Sequence, residues 1–233
     1  MLPDLSTPSL DDMTRRRLGW FVATLLSMLI VLYAIAYFRF DPRTYFPQQR
    51  AVYLAHRVPL YLHIAGASLA LLAAPWQLSR SLRRRWPWLH RATGRVYLVG
   101  VLIGGIGGLA MAPLSYGGPV AHAGFAALAL AWLATTATGL VAIRRGDVAR
   151  HRRWMTRSFA LTFAAVTLRI YLGAYQGLHA AGVLPVSFAA AYAAIAWLAW
   201  GPNLAIAWRL TRAGAAGTER AQSLSDAEPV RIA

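Results

Sequence analysis

"VYLVGVLIGGIGGLAMAPLSYGGPVAHAGFAALALAWLATTATGLVAI", residues 96–143, runs for 48 positions without a formally charged side chain. A bilayer core takes ~20 mostly apolar residues per helix, so this stretch holds two crossings. Pro113, Gly117, Gly118 and Pro119 supply the turn between them. One helix is expected at about 94–112 and the next at about 120–143. Working outward, 58–77 is a second apolar run, with His63 its one ionisable residue. Residues 18–38 carry no charge and exceed the core of a signal peptide, so they read as an uncleaved first helix. Beyond the central stretch, Asp147 is an N-cap for a fifth helix crossing at 156–178, and a sixth runs from Pro185 to Trp208. The expected fold is all-α and multi-pass, with six transmembrane helices. A segment 1–17 precedes the transmembrane domain 18–210, and the small, polar stretch 211–233 is expected to be a disordered tail.

Composition agrees. The chain is 58% hydrophobic and 14% charged, against ~25% charged in soluble domains. That excludes a soluble globular, collagen-like or disordered protein. Cysteine is absent, which removes disulfides, thiolate metal sites, iron–sulfur clusters and cysteine nucleophiles. No phosphate-binding Walker sequence, dinucleotide loop, metalloprotease helix or nucleophile elbow is present.

All 24 basic residues are Arg, and the net charge is +16. Such a charge can indicate nucleic acid, an anionic membrane surface or a topology signal. Counting by loop decides among them. Three Arg precede the first span, six lie in the second loop, six in the fourth and four in the tail. The first loop has four, and the third and fifth have none. This is a positive-inside pattern with both termini cytoplasmic, and it puts anionic lipid beside the Arg-rich loops. Short loops tied to the bilayer argue against nucleic acid. Trp76, Trp86, Trp88, Trp154 and Trp208 fall near the same interface, as an aromatic belt does.

Four histidines follow an internal repeat. "HIAGASLALL" (63–72) resembles "HAGFAALALAWL" (122–133), and "HRATGRVY" (90–97) resembles "HRRWMTRSF" (151–159). The simplest reading is a duplicated two-helix hairpin, giving a central four-helix bundle of helices two to five with a pseudo-two-fold axis along the membrane normal. That symmetry pairs His63 with His122 near one surface and His90 with His151 near the other. Ionisable side chains in spans are costly and usually functional, and paired imidazoles in a bundle are axial ligands for haem iron. Gly66 and Gly94 share the faces of His63 and His90, where they would admit a flat macrocycle. The competing reading is plain helix packing, to which the Gly100, Gly104 and Gly108 repeat also belongs. His90 and His151 could equally be interfacial residues or lipid-phosphate ligands, while His56 and His179 are expected to be solvated.

Arg169 stands ~14 Å inside the fifth span at 1.5 Å per residue. It follows His151 by 18 positions, which puts the two on one face of an unbroken helix. All eight carboxylates lie outside the spans, so its partner is either an exogenous anion (a haem propionate, a substrate carboxylate, a lipid) or water, hydroxyls and backbone carbonyls. Gln77 and Asn203 are expected to cap or kink helices beside Pro75 and Pro202.

"HIAGASLALLAAPWQ", "HRATGRVYL", "HRRWMTRSFALTFAAVTLRIYL" and "WGPNL" resemble a bacterial family of predicted membrane proteins, domain of unknown function 2306, over roughly 55–205. That resemblance implies the bacterial inner membrane and no particular activity. The layout is also similar to the cytochrome b561 family, with six helices and one His on each of helices two to five. That similarity implies up to two b-type haems, one held by His63 and His122 and one by His90 and His151, and a redox partner or quinone. No counterpart of that family's ascorbate-site motif is present. The expected function is transmembrane electron transfer. The alternatives are a cofactor-free transporter or sensor that binds an anion at Arg169, and a structural membrane protein.

Overall fold

The computed structural model describes residues 10–226, and all regular structure among them is helical. Six helical stretches are long and apolar enough to cross a membrane: Arg17–Arg39, Arg57–Leu78, Pro87–Leu114, Gly118–Arg144, Val148–Ala180 and Phe188–Ala213. The expected number and order of spans are therefore met. The chain divides into two compact units, Met1–Tyr116 and Gly117–Ala233, each carrying three spans.

The first unit contains α1 (Leu10–Ile35), α2 (Arg50–Ala55), α3 (Arg57–Leu78), α4 (Arg80–Arg85) and α5 (Pro87–Met111). Leu18, Phe21, Leu25, Leu29 and Leu32 form an exposed stripe on α1 at helical spacing. In water such a stripe would be a liability, whereas against acyl chains it is the expected outer surface. The opposite side of α1 packs on α3. Pro75 lies inside α3 and has no N–H for the turn before it. Its own carbonyl accepts from Trp20 Nε1 at 2.8 Å, and the Trp20 ring meets Trp76 edge-on at 5.9 Å. Trp20→Phe is expected to destabilise the first unit by about 1 kcal/mol through that lost bond, read as a lower unfolding midpoint in detergent.

The α3–α5 seam is the tightest packing in the unit. A Cβ placed on Gly66 would lie 2.2 Å from the backbone nitrogen of Gly104 and 2.7 Å from the carbonyl of Gly100. Gly100, Gly104 and Gly107 return the contact against Ala70, Ala67 and His63. Helices this close need glycine on both sides, because each Cβ would strike backbone. Between the spans, residues 39–57 fold around a tyrosine cluster. Tyr37 stacks on Tyr45 at 5.6 Å, and Gln49 Nε2 donates to the Leu114 carbonyl at 2.6 Å.

The second unit contains α6 (Gly118–Arg144), α7 (Val148–Thr162), α8 (Ala164–Ala180), α9 (Phe188–Leu198) and α10 (Gly201–Asp226). Gly146, at φ +79, makes the turn into α7, and the Asp147 side chain caps it by accepting from Arg150 N at 2.8 Å, as the sequence predicts. A hydroxyl ladder ties α6 to α7. Trp132 Nε1 donates to Thr162 Oγ1 at 2.8 Å, and the Thr136 and Ser158 hydroxyls meet at 2.6 Å. α9 packs on α6, and α10 on α7.

Two expectations change and a third is met. The fifth span is not one unbroken helix, because α7 and α8 part at Phe163. The sixth parts at Ala199–Trp200, the kink expected beside Pro202, which has no N–H to continue the ladder. The segment from Ala213, expected to be disordered, continues α10 to Asp226. Its Ala, Arg, Glu and Gln content favours helix. Residues 1–9 of the expected N-terminal segment and 227–233 of the tail lie outside the described residues.

Candidate functional site

Each histidine of interest sits on a spanning helix because the helices begin earlier than hydropathy alone indicates. α5 starts at Pro87, with proline in its first turn, and α7 at its Asp147 cap. His90 and His151 therefore lie inside helices. All four histidines are half-buried.

Two of them are held in the same way. His63 Nδ1 donates to the carbonyl of Gly104 at 2.8 Å, and His151 Nδ1 donates to the carbonyl of Gly139 at 2.8 Å. A carbonyl can only accept, so Nδ1 carries the hydrogen in both rings. In the neutral imidazole this leaves the lone pair on Nε2. Such a bond fixes the tautomer and orientation of histidines that ligate metals. Exposed His179 makes a similar bond to the Leu184 carbonyl at 3.0 Å. What sets the other two apart is their place in a helix–helix seam. The His63 ring lies over Gly108, where a Cβ would come within 2.8 Å of Nδ1.

The second pair is placed differently. The His90 Nδ1 atom is buried, and its backbone carbonyl accepts from Gln77 Nε2 at 3.2 Å. Gln77 also donates to Thr93, so it bridges α3 to the start of α5 rather than merely ending its own helix. His122 lies in the first turns of α6. His56 is exposed, as expected, between α2 and α3.

The glycine reading is corrected. At Gly66 the space for a macrocycle is filled by the backbone of α5, and Gly94 faces Gln77 Oε1, 3.3 Å from a placed Cβ. Gly124, the counterpart in the repeat, faces Ala196 and Trp197 of α9. The repeated glycines thus seat different partners: the hairpin's second helix in the first unit, and α9 in the second. The repeat does not extend to the carbonyl-bonded histidine either. It is on the first helix of one hairpin and on the second helix of the other.

Arg169 is half-buried on α8, and its Nη1 donates to the carbonyl of Ala165, one turn back, at 3.2 Å. α7 and α8 meet at Phe163, between His151 and Arg169, where the backbone stays αR, and both residues lie on the one span Val148–Ala180. Among the described residues Arg157 is the charged side chain that is buried, 6% exposed. It lies between the Trp154 and Trp208 rings, 4.6 and 3.8 Å from their centroids. The available signal was Trp154 three positions earlier, on the same helical face. Asn203 was read as a kink residue and sits beside the α9–α10 break. Its Nδ2 donates to the carbonyls of Ala160 and Ala199 and to Thr167 Oγ1, joining that break to the one at Phe163.

Among the described residues no group of three or more His, Cys, Asp or Glu is placed to hold a bare metal ion. Haem brings four nitrogens of its own and asks the protein for one or two axial ligands, so the imidazole donors suit it.

A family model described as "Predicted membrane protein (DUF2306)" matches residues 60–211, which takes in the α3–α5 seam, all four histidines and both arginines. No curated protein and no solved structure matches the chain.

Proposed function

The chain belongs to this family of predicted membrane proteins, and on that premise we propose that it is a b-type haem protein that moves electrons within or across the bilayer. The observation that carries the reading is the pair of Nδ1–carbonyl bonds at His63 and His151. Each leaves Nε2 as the donor, and each crosses a helix–helix seam. The proposed ligands are His63 and His90 of the first unit and His122 and His151 of the second. The Gly104 and Gly139 carbonyls orient the His63 and His151 rings and raise the basicity of their Nε2 atoms. Gly108 leaves room for the His63 ring, and Arg169 is proposed to neutralise a propionate. Bound haem supplies a reversible one-electron couple, with a quinone or a protein as redox partner. The Arg distribution supports both termini on the cytoplasmic side of a bacterial inner membrane.

Protein purified from haem-replete cells is expected to show a Soret band and split visible bands on reduction. His63→Ala and His151→Ala are each expected to lower the haem content by about half, as loss of one of two sites would. His179→Ala leaves it unchanged. A colourless preparation overturns the reading, and full haem content in both alanine variants overturns these ligand assignments. A second reading, a cofactor-free transporter or sensor, is favoured by the half-buried Arg169 within a span. It is supported by a ligand-dependent thermal shift in colourless protein that Arg169→Leu abolishes.

A further inference from the structure

We propose that Arg157 is the centre of a binding site for a phosphate-bearing anion at the Arg-rich end of the second unit. The site depends neither on haem nor on which side of the membrane that end faces. The Trp154 and Trp208 rings stand at 89° to one another, 6.1 Å apart, and enclose the guanidinium. Its Nε and Nη2 both donate to Thr211 Oγ1, at 3.3 and 3.1 Å. A guanidinium has five N–H groups, so three have no acceptor among the described residues. The aromatic rings satisfy the faces of the cation, and one hydroxyl satisfies part of its edge.

Among the described residues no protein anion completes that edge. The carboxylates whose side chains are described are Asp41 and Asp147, and both serve as caps, accepting from Arg43 N and Arg150 N. Further positive charge surrounds the site instead. Arg153 acts on Arg157 electrostatically, as does Arg212, which lies 5.3 Å from the Trp208 ring. Three like charges around one low-dielectric site are unfavourable unless an anion joins them. A phosphate oxygen pair matches the open edge of a guanidinium bidentately, and Arg153 and Arg212 meet its remaining charge. Half-buried indoles beside an exposed Arg212 place the opening at headgroup level. A lipid headgroup and a free phosphate share this chemistry.

The test measures thermal unfolding of the full chain in uncharged detergent. Phosphatidylglycerol, phosphatidylcholine or inorganic phosphate is titrated separately at constant ionic strength. Phosphatidylglycerol is expected to raise the midpoint of the wild type saturably and phosphatidylcholine not to. Arg157→Gln is expected to require about tenfold more lipid, and Arg153→Gln and Arg212→Gln about fivefold more each. Exposed Arg144 is the control, and Arg144→Gln leaves the titration unchanged. Because Arg157→Gln alters a buried group and can impair folding, the other two variants decide the question if it does. An equal, saturable response to inorganic phosphate with the same variant dependence assigns the site to soluble phosphate, and no such response assigns it to lipid. Identical titrations for the wild type and the Arg153 and Arg212 variants overturn the site. So does an equal shift with phosphatidylcholine.

Discussion

Gly66→Ala is expected to cost about 3 kcal/mol or more, at or beyond the upper end for overpacking a close-packed site. The added methyl would lie 2.2 Å from Gly104 N, 2.6 Å from Gly104 Cα and 2.7 Å from the Gly100 carbonyl. All three atoms are backbone, so no rotamer change relieves the clash and the helices must separate. In a bilayer the seam has little hydrophobic driving force, because lipid tails are as apolar as the helix faces. Close van der Waals contact supplies most of the attraction, and it falls steeply with distance. Separation also lengthens the His63–Gly104 bond, since the two residues face each other across the same seam. The matched control is Gly173→Ala on α8, where nothing lies within 4 Å of the new Cβ. That change should be neutral or mildly stabilising, by up to about 1 kcal/mol. Unfolding midpoints in detergent decide the matter, and equal midpoints for the two variants would mean the seam is not close-packed.

Ser158→Leu is the second large effect. Ser158 is fully buried between α6 and α7. Its hydroxyl pairs with Thr136, its carbonyl accepts from Thr162 Oγ1 at 3.0 Å, and Thr162 in turn accepts from Trp132. Leucine removes one interhelical hydrogen bond, about 0.6–1 kcal/mol in a membrane. It also forces two extra heavy atoms into a filled site, about 1–3 kcal/mol. The sum is about 3 kcal/mol of lost stability. Ser158→Ala isolates the first part and should cost no more than about 1 kcal/mol. Comparing both against wild type by thermal or denaturing-detergent unfolding separates packing from hydrogen bonding. A leucine variant as stable as the alanine one would refute the packing argument.

The two seams show why the site was only partly legible. Gly100, Gly104 and Gly108 announce a close approach, and α5 does make one, yet nothing in the repeat says that Gly66 faces α5 while Gly124 faces α9. A helix apolar on every side has no polar face to mark which side is inward. The arginines fail for a related reason. Arg169 draws attention because apolar residues surround it in sequence, whereas Arg157 sits among polar neighbours and looks like a loop residue. Burial follows from what packs alongside, and α10 brings Trp208 and Thr211 over Arg157 from more than 50 positions away.

The sequence by itself determined the six spans, their order and the Asp147 cap. Bilayer thickness sets a length that any spanning helix must meet, and backbone satisfaction in hydrocarbon makes helix the way to meet it. Both constraints act on local sequence and need no partner. Only the tertiary structure decided that glycines expected to admit a cofactor instead seat helices. It alone showed that His63 and His151 are oriented by carbonyls of neighbouring helices, and that the deeply buried cation is Arg157. Those outcomes depend on contacts between residues distant in the chain, which hydropathy and spacing do not encode.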